Sequence, residues 1–131
     1  MNRSVIVPNF DKNGLITVVA QEQCTGKILM VAHTDRTGFF ETLTTSNAVY
    51  FSRSRNRRWI KGESSGNTQS VQDIKIDCDG DTVIYAVTQN GNGACHMGKY
   101  SCFYRSIIGS MFEPAAGKFD VEFIEVHPNF L

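Results

Sequence analysis

The sequence predicts an α+β domain, rich in β-strand, with one main helix. Three observations carry that reading. Short β-branched or alternating apolar runs recur along the chain, separated by turn residues. One segment, residues 35–45, spaces its apolar residues as a helix does. The 131 residues contain no repeat, linker or low-complexity stretch, so residues 1–131 are read as a single domain large enough to bury a core.

The elements follow in order. LITVVA (15–20) is a β-branched run expected as a buried strand, and ILMVAH (28–33) follows it after a turn at Cys24-Thr25-Gly26. Thr34 or Asp35 can cap a helix over 35–45, with Phe39, Phe40 and Leu43 on one face. Gly38 and the threonines weaken it, and Ser46-Asn47 ends it. AVYFSRS (48–54) is a strand running into a basic segment, and Trp59 to Gly62 a short strand. Val71 to Cys78 alternates, with Ile74 and Ile76 expected to face the core and Val71 the other side. Asp79-Gly80 signals a hairpin turn, and Thr82 to Thr88 returns as the partner strand. Phe103 to Ile108 is a further strand, and KFDVEFIEV (118–126) an edge strand.

Thirteen Lys and Arg balance thirteen Asp and Glu, so no global field draws the chain to nucleic acid or membrane, and neither is expected as a partner. Arg53, Arg55, Arg57, Arg58 and Lys61 nevertheless cluster, either as a local anion site or as a solvated charged segment. The N-terminal MNRSVIVPNFDKNG lacks an apolar stretch of signal-peptide length, and no run approaches membrane-spanning length. The expected location is cytoplasmic. Thiols stay reduced there, so cysteine clusters more often bind metal or do chemistry than form disulfides. Cys24, His33 and His127 read as ordinary residues of a turn, a strand end and the tail.

The stretch from Asp77 to Cys102 concentrates the chemistry. Asp77, Asp79 and Asp81 bracket Cys78 before the apolar run Val83 to Val87, and Cys95, His96 and Cys102 follow it. Extended backbone over 77–81 would put the three carboxylates on one face and Cys78 on the other. Clustered carboxylates repel unless a cation neutralises them, and oxygen donors suit magnesium; the plain alternative is an acidic hairpin turn. Cys78, Cys95 and Cys102 supply three thiolates, as in a catalytic zinc site that keeps a water, with His96 as fourth ligand or as general acid/base. A closed structural zinc site of three Cys and one His competes with that reading.

VYFSRSR (49–55), WIKGESSGN (59–67), IDCDGD (76–81) and ACHMGKYSCFYR (94–105) together resemble the phosphoribosyl-AMP cyclohydrolase family of histidine biosynthesis. The resemblance implies an intertwined homodimer. It implies hydrolytic opening of the adenine N1–C6 bond of phosphoribosyl-AMP, a small-molecule nucleotide, by zinc-activated water. It further implies Zn2+ held by Cys78, Cys95 and Cys102 at a site shared between subunits, Mg2+ held by Asp77, Asp79 and Asp81, and catalysis by His96. Arg53, Arg55, Trp59, Lys61 and Glu63 fall in motifs lining the family's active site. The arginines suit phosphates, and Trp59 either stacks on a ring or packs in the core.

The chain departs from the family pattern in four places. It is one residue longer between Cys78 and Cys95, in NGNGA. Arg58 replaces an apolar residue, Asn67 stands where many members have His, and His33-Thr34-Asp35 replaces Tyr-Met-Asn. These leave two alternatives: a non-catalytic zinc-stabilised dimer module of the same fold, or a divergent hydrolase acting on another nucleotide.

Overall fold

The structure, a computed structural model, describes residues 3–126; His127 lies outside the described residues. Its centre is a four-stranded sheet built from β1 (Leu15–Glu22), β2 (Ile28–Asp35), β5 (Gln69–Ile76) and β6 (Thr82–Gln89), in the order β2-β1-β6-β5. β1 runs parallel to β6; the two outer pairings are antiparallel. Alternation along β1 sends Ile16, Val18 and Ala20 inward, where they meet Leu29, Val83, Tyr85 and Val87. No helix among the described residues is long and apolar enough to cross a membrane.

The helix α1 (Arg36–Thr45) starts and ends where the sequence signals it. The Asp35 side chain accepts from Gly38 N at 2.8 Å, and Ser46 stops the helix in a left-handed conformation with φ 64°. Its buried face differs from the expected one. Gly38 and Thr42 face the sheet, whereas Phe40 and Leu43 are exposed and Phe39 is half-buried against Phe10. The reason is close approach: a Cβ on Gly38 would collide with Thr34 Oγ1. Thr42 Oγ1 in turn accepts from Val49 N at 3.0 Å, tying helix to strand.

β3 (Val49–Ser52) and β4 (Arg57–Ile60) form an antiparallel hairpin whose turn places Asn56 at φ 50°. Tyr50 is buried, packs its ring against Trp59 at 5.0 Å in a tilted arrangement, and donates its hydroxyl to Gln69 Oε1 at 2.5 Å. Trp59 therefore packs against the core with one part of its ring system. In β5 the simple alternation fails. A bulge between Val71 and Asp73 shifts the register, so Val71, Ile74 and Ile76 all pack on the core.

The last strands, β7 (Arg105–Glu113) and β8 (Lys118–Glu125), pair antiparallel as a separate ribbon. The expected strand from Phe103 to Ile108 thus starts later and runs on to Glu113. Cross-strand pairs Ile107–Phe123 and Phe112–Phe119 leave exposed apolar side chains on it.

Candidate active site

The β3–β4 hairpin and the turn after it build a cavity of about 690 Å³. Arg55, Trp59, Lys61, Glu63 and His96, all singled out in the sequence, line it. Arg57, named in the sequence only as part of the basic cluster, lines it too, as do Ser52, Ser64 and Ser65, which sit inside quoted motifs but were not singled out. Arg53 does not line it; burial lowers the His33 pKa, with the Arg53 charge second, and the Leu15 amide is the main cause that lowers Asp11.

Local backbone explains these positions. Arg55 N donates to Ser52 Oγ at 3.3 Å, which folds the basic segment back at the cavity mouth. Arg57 and Glu63 form an exposed ion pair at 3.8 Å, a contact of small energetic weight that keeps two lining side chains together. Gly62, at φ 80°, has no room for a Cβ against the Asn67 carbonyl carbon and Thr68 N, so the turn closes tightly behind Lys61.

Lys61 joins the cavity to the thiols. Its Nζ donates to Ala94 O at 2.6 Å and lies 5.8 Å from the Trp59 ring centre. Burial lowers its pKa, and the Cys102 and Cys95 sulfurs offset only part of that. The loop beyond Ala94 closes on itself: Ala94 N donates to Tyr100 O at 2.9 Å, Cys95 N to Lys99 O at 3.1 Å, and Gly98 N to Cys95 O at 3.1 Å. This closure brings Cys95 close enough to Cys102 to act on its thiol across their six-residue spacing. Burial, followed by the charge and hydrogen bond of Cys95, pushes the Cys102 thiol up to about 11.

Asp77, Asp79 and Asp81 converge in the β5–β6 turn, with one carboxylate oxygen of each within 4.8 Å of the others. A turn achieves this, not extended alternation: Gly80 takes φ 76°, and Asp77 Oδ1 accepts from Asp81 N at 3.1 Å and Thr82 N at 3.2 Å. Hydrogen bonding with Asp81 and Asp77, then their negative charge, raises the Asp79 pKa. Desolvation acts upward on Asp77, but the Thr82 amide, the Asp81 and Asp79 side chains and the Asp81 amide outweigh it and lower its pKa. The trio could hold a hard divalent cation, which would relieve this crowding.

Cys78 is exposed in that same turn. Among the described residues the acidic trio is the one group of three potential ligands this close, so Cys78 does not complete the thiol pair within a single chain. β6 explains the separation: its eight residues put about 25 Å of extended chain between the turn and the thiol loop.

The unusual residues find partners. Asn67 Oδ1 accepts from Asn92 N at 3.0 Å and sits against Gly91, bracing the longer NGNGA loop. Arg58 pairs with Glu41 of α1.

A pocket with this chemistry suits a phosphorylated molecule carrying a planar ring, and the imidazole on its wall suits proton transfer. The family model for phosphoribosyl-AMP cyclohydrolase matches residues 30–104. The phosphoribosyl-AMP cyclohydrolase of Bordetella parapertussis is 54% identical over 101 residues, 77% of this chain and 75% of that protein. That of Chlorobaculum tepidum is 54% identical over 99 residues, 76% of this chain and 72% of that protein. A histidine biosynthesis bifunctional protein of Deinococcus radiodurans is 51% identical over 100 residues, 76% of this chain and 45% of that longer protein. The chain belongs to the phosphoribosyl-AMP cyclohydrolase family.

Proposed function

We propose that this protein hydrolyses phosphoribosyl-AMP in histidine biosynthesis, opening the adenine ring between N1 and C6, as a cytoplasmic homodimer. The observation that carries this reading is the place of His96, which lines the cationic cavity and follows directly on Cys95 of the thiol pair.

Arg55 and Arg57 bind the phosphates through planar, forked hydrogen bonds, while Lys61 adds a point charge. Trp59 offers its free ring surface to the base. His96 carries a proton from the attacking water to N1 as the N1–C6 bond breaks. Cys95 and Cys102 fit a soft divalent ion as paired thiols, and Cys78 of a second copy completes that zinc site. Asp77, Asp79 and Asp81 fit magnesium as an oxygen-only set. The chemistry supplied by such a zinc when bound is Lewis-acid activation of water near neutral pH. The exposed apolar side chains Phe40, Leu43, Ile107, Phe112 and Phe119 favour a subunit contact.

Ring opening is followed as a change in ultraviolet absorbance on phosphoribosyl-AMP. Cys95→Ala is expected to lose both zinc and turnover. Undiminished turnover in a zinc-free Cys95→Ala protein would overturn the assignment.

A further inference from the structure

Glu22 ends β1 as a carboxylate only 7% exposed, and the proposed chemistry makes no use of it. Burying a carboxylate is costly unless both oxygens find donors. Here both do. Thr25 Oγ1 donates to Oε1 at 2.5 Å, and the Tyr100 hydroxyl donates to Oε2. The backbone of Glu22 is fixed as well: its N donates to Lys27 O at 2.8 Å, its carbonyl accepts from Gly26 N at 2.8 Å, and it lies opposite Val87 in the parallel β1–β6 pairing.

Tyr100 belongs to the thiol loop. Its carbonyl closes that loop on Ala94, one residue before Cys95, and it lies two residues before Cys102. Gly93, at φ 139°, has no space for a Cβ beside the Tyr100 Cα, so the two ends of the loop touch there. Ser101 Oγ donates to Ile28 O and Cys102 N to Leu29 O, both at 2.8 Å. The loop is thus fastened to β2 through the Ser101 hydroxyl and the Cys102 amide and to β1 through the Tyr100–Glu22 contact. Glu22 lies outside the residues matched by the family model.

We propose that Glu22 is a positioning residue for the thiol pair: through Tyr100 it fixes the relative placement of Cys95 and Cys102, and with it the pair's affinity for a thiophilic divalent metal. The inference rests on the reading of those two cysteines as zinc ligands. The carboxylate accepts from both hydroxyls at once; an amide has one accepting oxygen, so it must reverse one of these two bonds and donate its NH2 to a hydroxyl.

The test uses the full chain, zinc, and cobalt(II) as a spectroscopic probe of thiolate ligation. Glu22→Gln and Tyr100→Phe are each expected to weaken zinc binding by about 10- to 100-fold in competition with a chromophoric chelator. Both are expected to shift the visible cobalt bands, and the double variant to bind no more weakly than the weaker single one. Tyr100→Phe removes a single oxygen, so it carries the test should Glu22→Gln fail to fold. Variants with lowered thermal stability but unchanged cobalt bands and zinc affinity would reduce the contact to ordinary core structure and overturn the proposal. Absence of thiolate–cobalt absorption in the wild-type protein would overturn the zinc reading, and this inference with it.

Discussion

Lys61 Nζ donates a hydrogen bond to the Ala94 carbonyl at 2.6 Å, so a side chain of the cavity wall holds the residue that precedes Cys95. Lys61 is half-buried, which places the net value of this charge-assisted bond near the low end of its range, about 1.5 kcal/mol. Lys61→Met removes this tether together with the point charge proposed for the phosphates, and is expected to lower kcat/KM for ring opening by about tenfold or more. Steady-state kinetics check this, and a variant indistinguishable from wild type would show that the tether does not matter.

Gly38 makes a prediction of opposite sign to helix propensity. In an exposed helix Gly→Ala gains about 1 kcal/mol. Here the new methyl meets Thr34 Oγ1, which is fully buried and donates to Val49 O at 3.1 Å, and so cannot move freely. Gly38→Ala is expected to destabilise the protein by about 1–3 kcal/mol, measured by denaturant unfolding. A stabilised variant would mean that α1 sits further from β2 and β3 than described.

Much of this fold is legible in the sequence. The β-branched run in β1 and the Asp79-Gly80 turn act locally: side-chain alternation and a glycine at positive φ need no distant partner. Asp35 and Ser46 likewise mark the helix ends through local caps. What stays hidden depends on close approach between distant segments. Gly38 reads as a helix weakener but is the packing residue, and the β5 bulge that turns Val71 inward leaves no sequence mark. In the candidate site, the potential ligand types are readable while their grouping is not. Cys95 and Cys102 meet because the Ala94–Tyr100 hydrogen bond closes their loop, and β6 holds Cys78 away from them. Arg53 and Arg55 look equivalent in sequence, yet the hairpin turn sends only Arg55 to the cavity.

The acidic trio predicts a pH and metal dependence. Asp79 has a folded-state pKa above its unfolded one, so its contribution favours the metal-free fold at low pH and is lost as pH rises through the raised value. Asp77 is lowered, so its contribution is present above the ordinary Asp value and lost as pH falls through the lowered one. Asp79→Asn is expected to raise the Tm of the metal-free protein at about pH 7 and to have lost that gain at about pH 3. Added Mg2+ is expected to raise the wild-type Tm and not that of the variant. Equal magnesium shifts in both proteins would remove Asp79 from the cation site.

The proposed sharing of a zinc site between two subunits predicts complementation. Cys78→Ala and Cys95→Ala chains are each expected to be inactive alone. Co-expressed in equal amounts, half of the dimers are mixed and each mixed dimer keeps one intact site, which gives about a quarter of wild-type activity. No recovery in verified mixed dimers would place all the ligands of each site in one chain.

The most direct test is metal analysis and the ring-opening assay on one sample, before chelation, after it, and after zinc is restored in the presence of Mg2+. Zinc bound in stoichiometric amount, turnover of phosphoribosyl-AMP lost on chelation and recovered with zinc, is the predicted result. Undiminished turnover in fully metal-free protein, or zinc-loaded protein that leaves the purine ring intact, would contradict it.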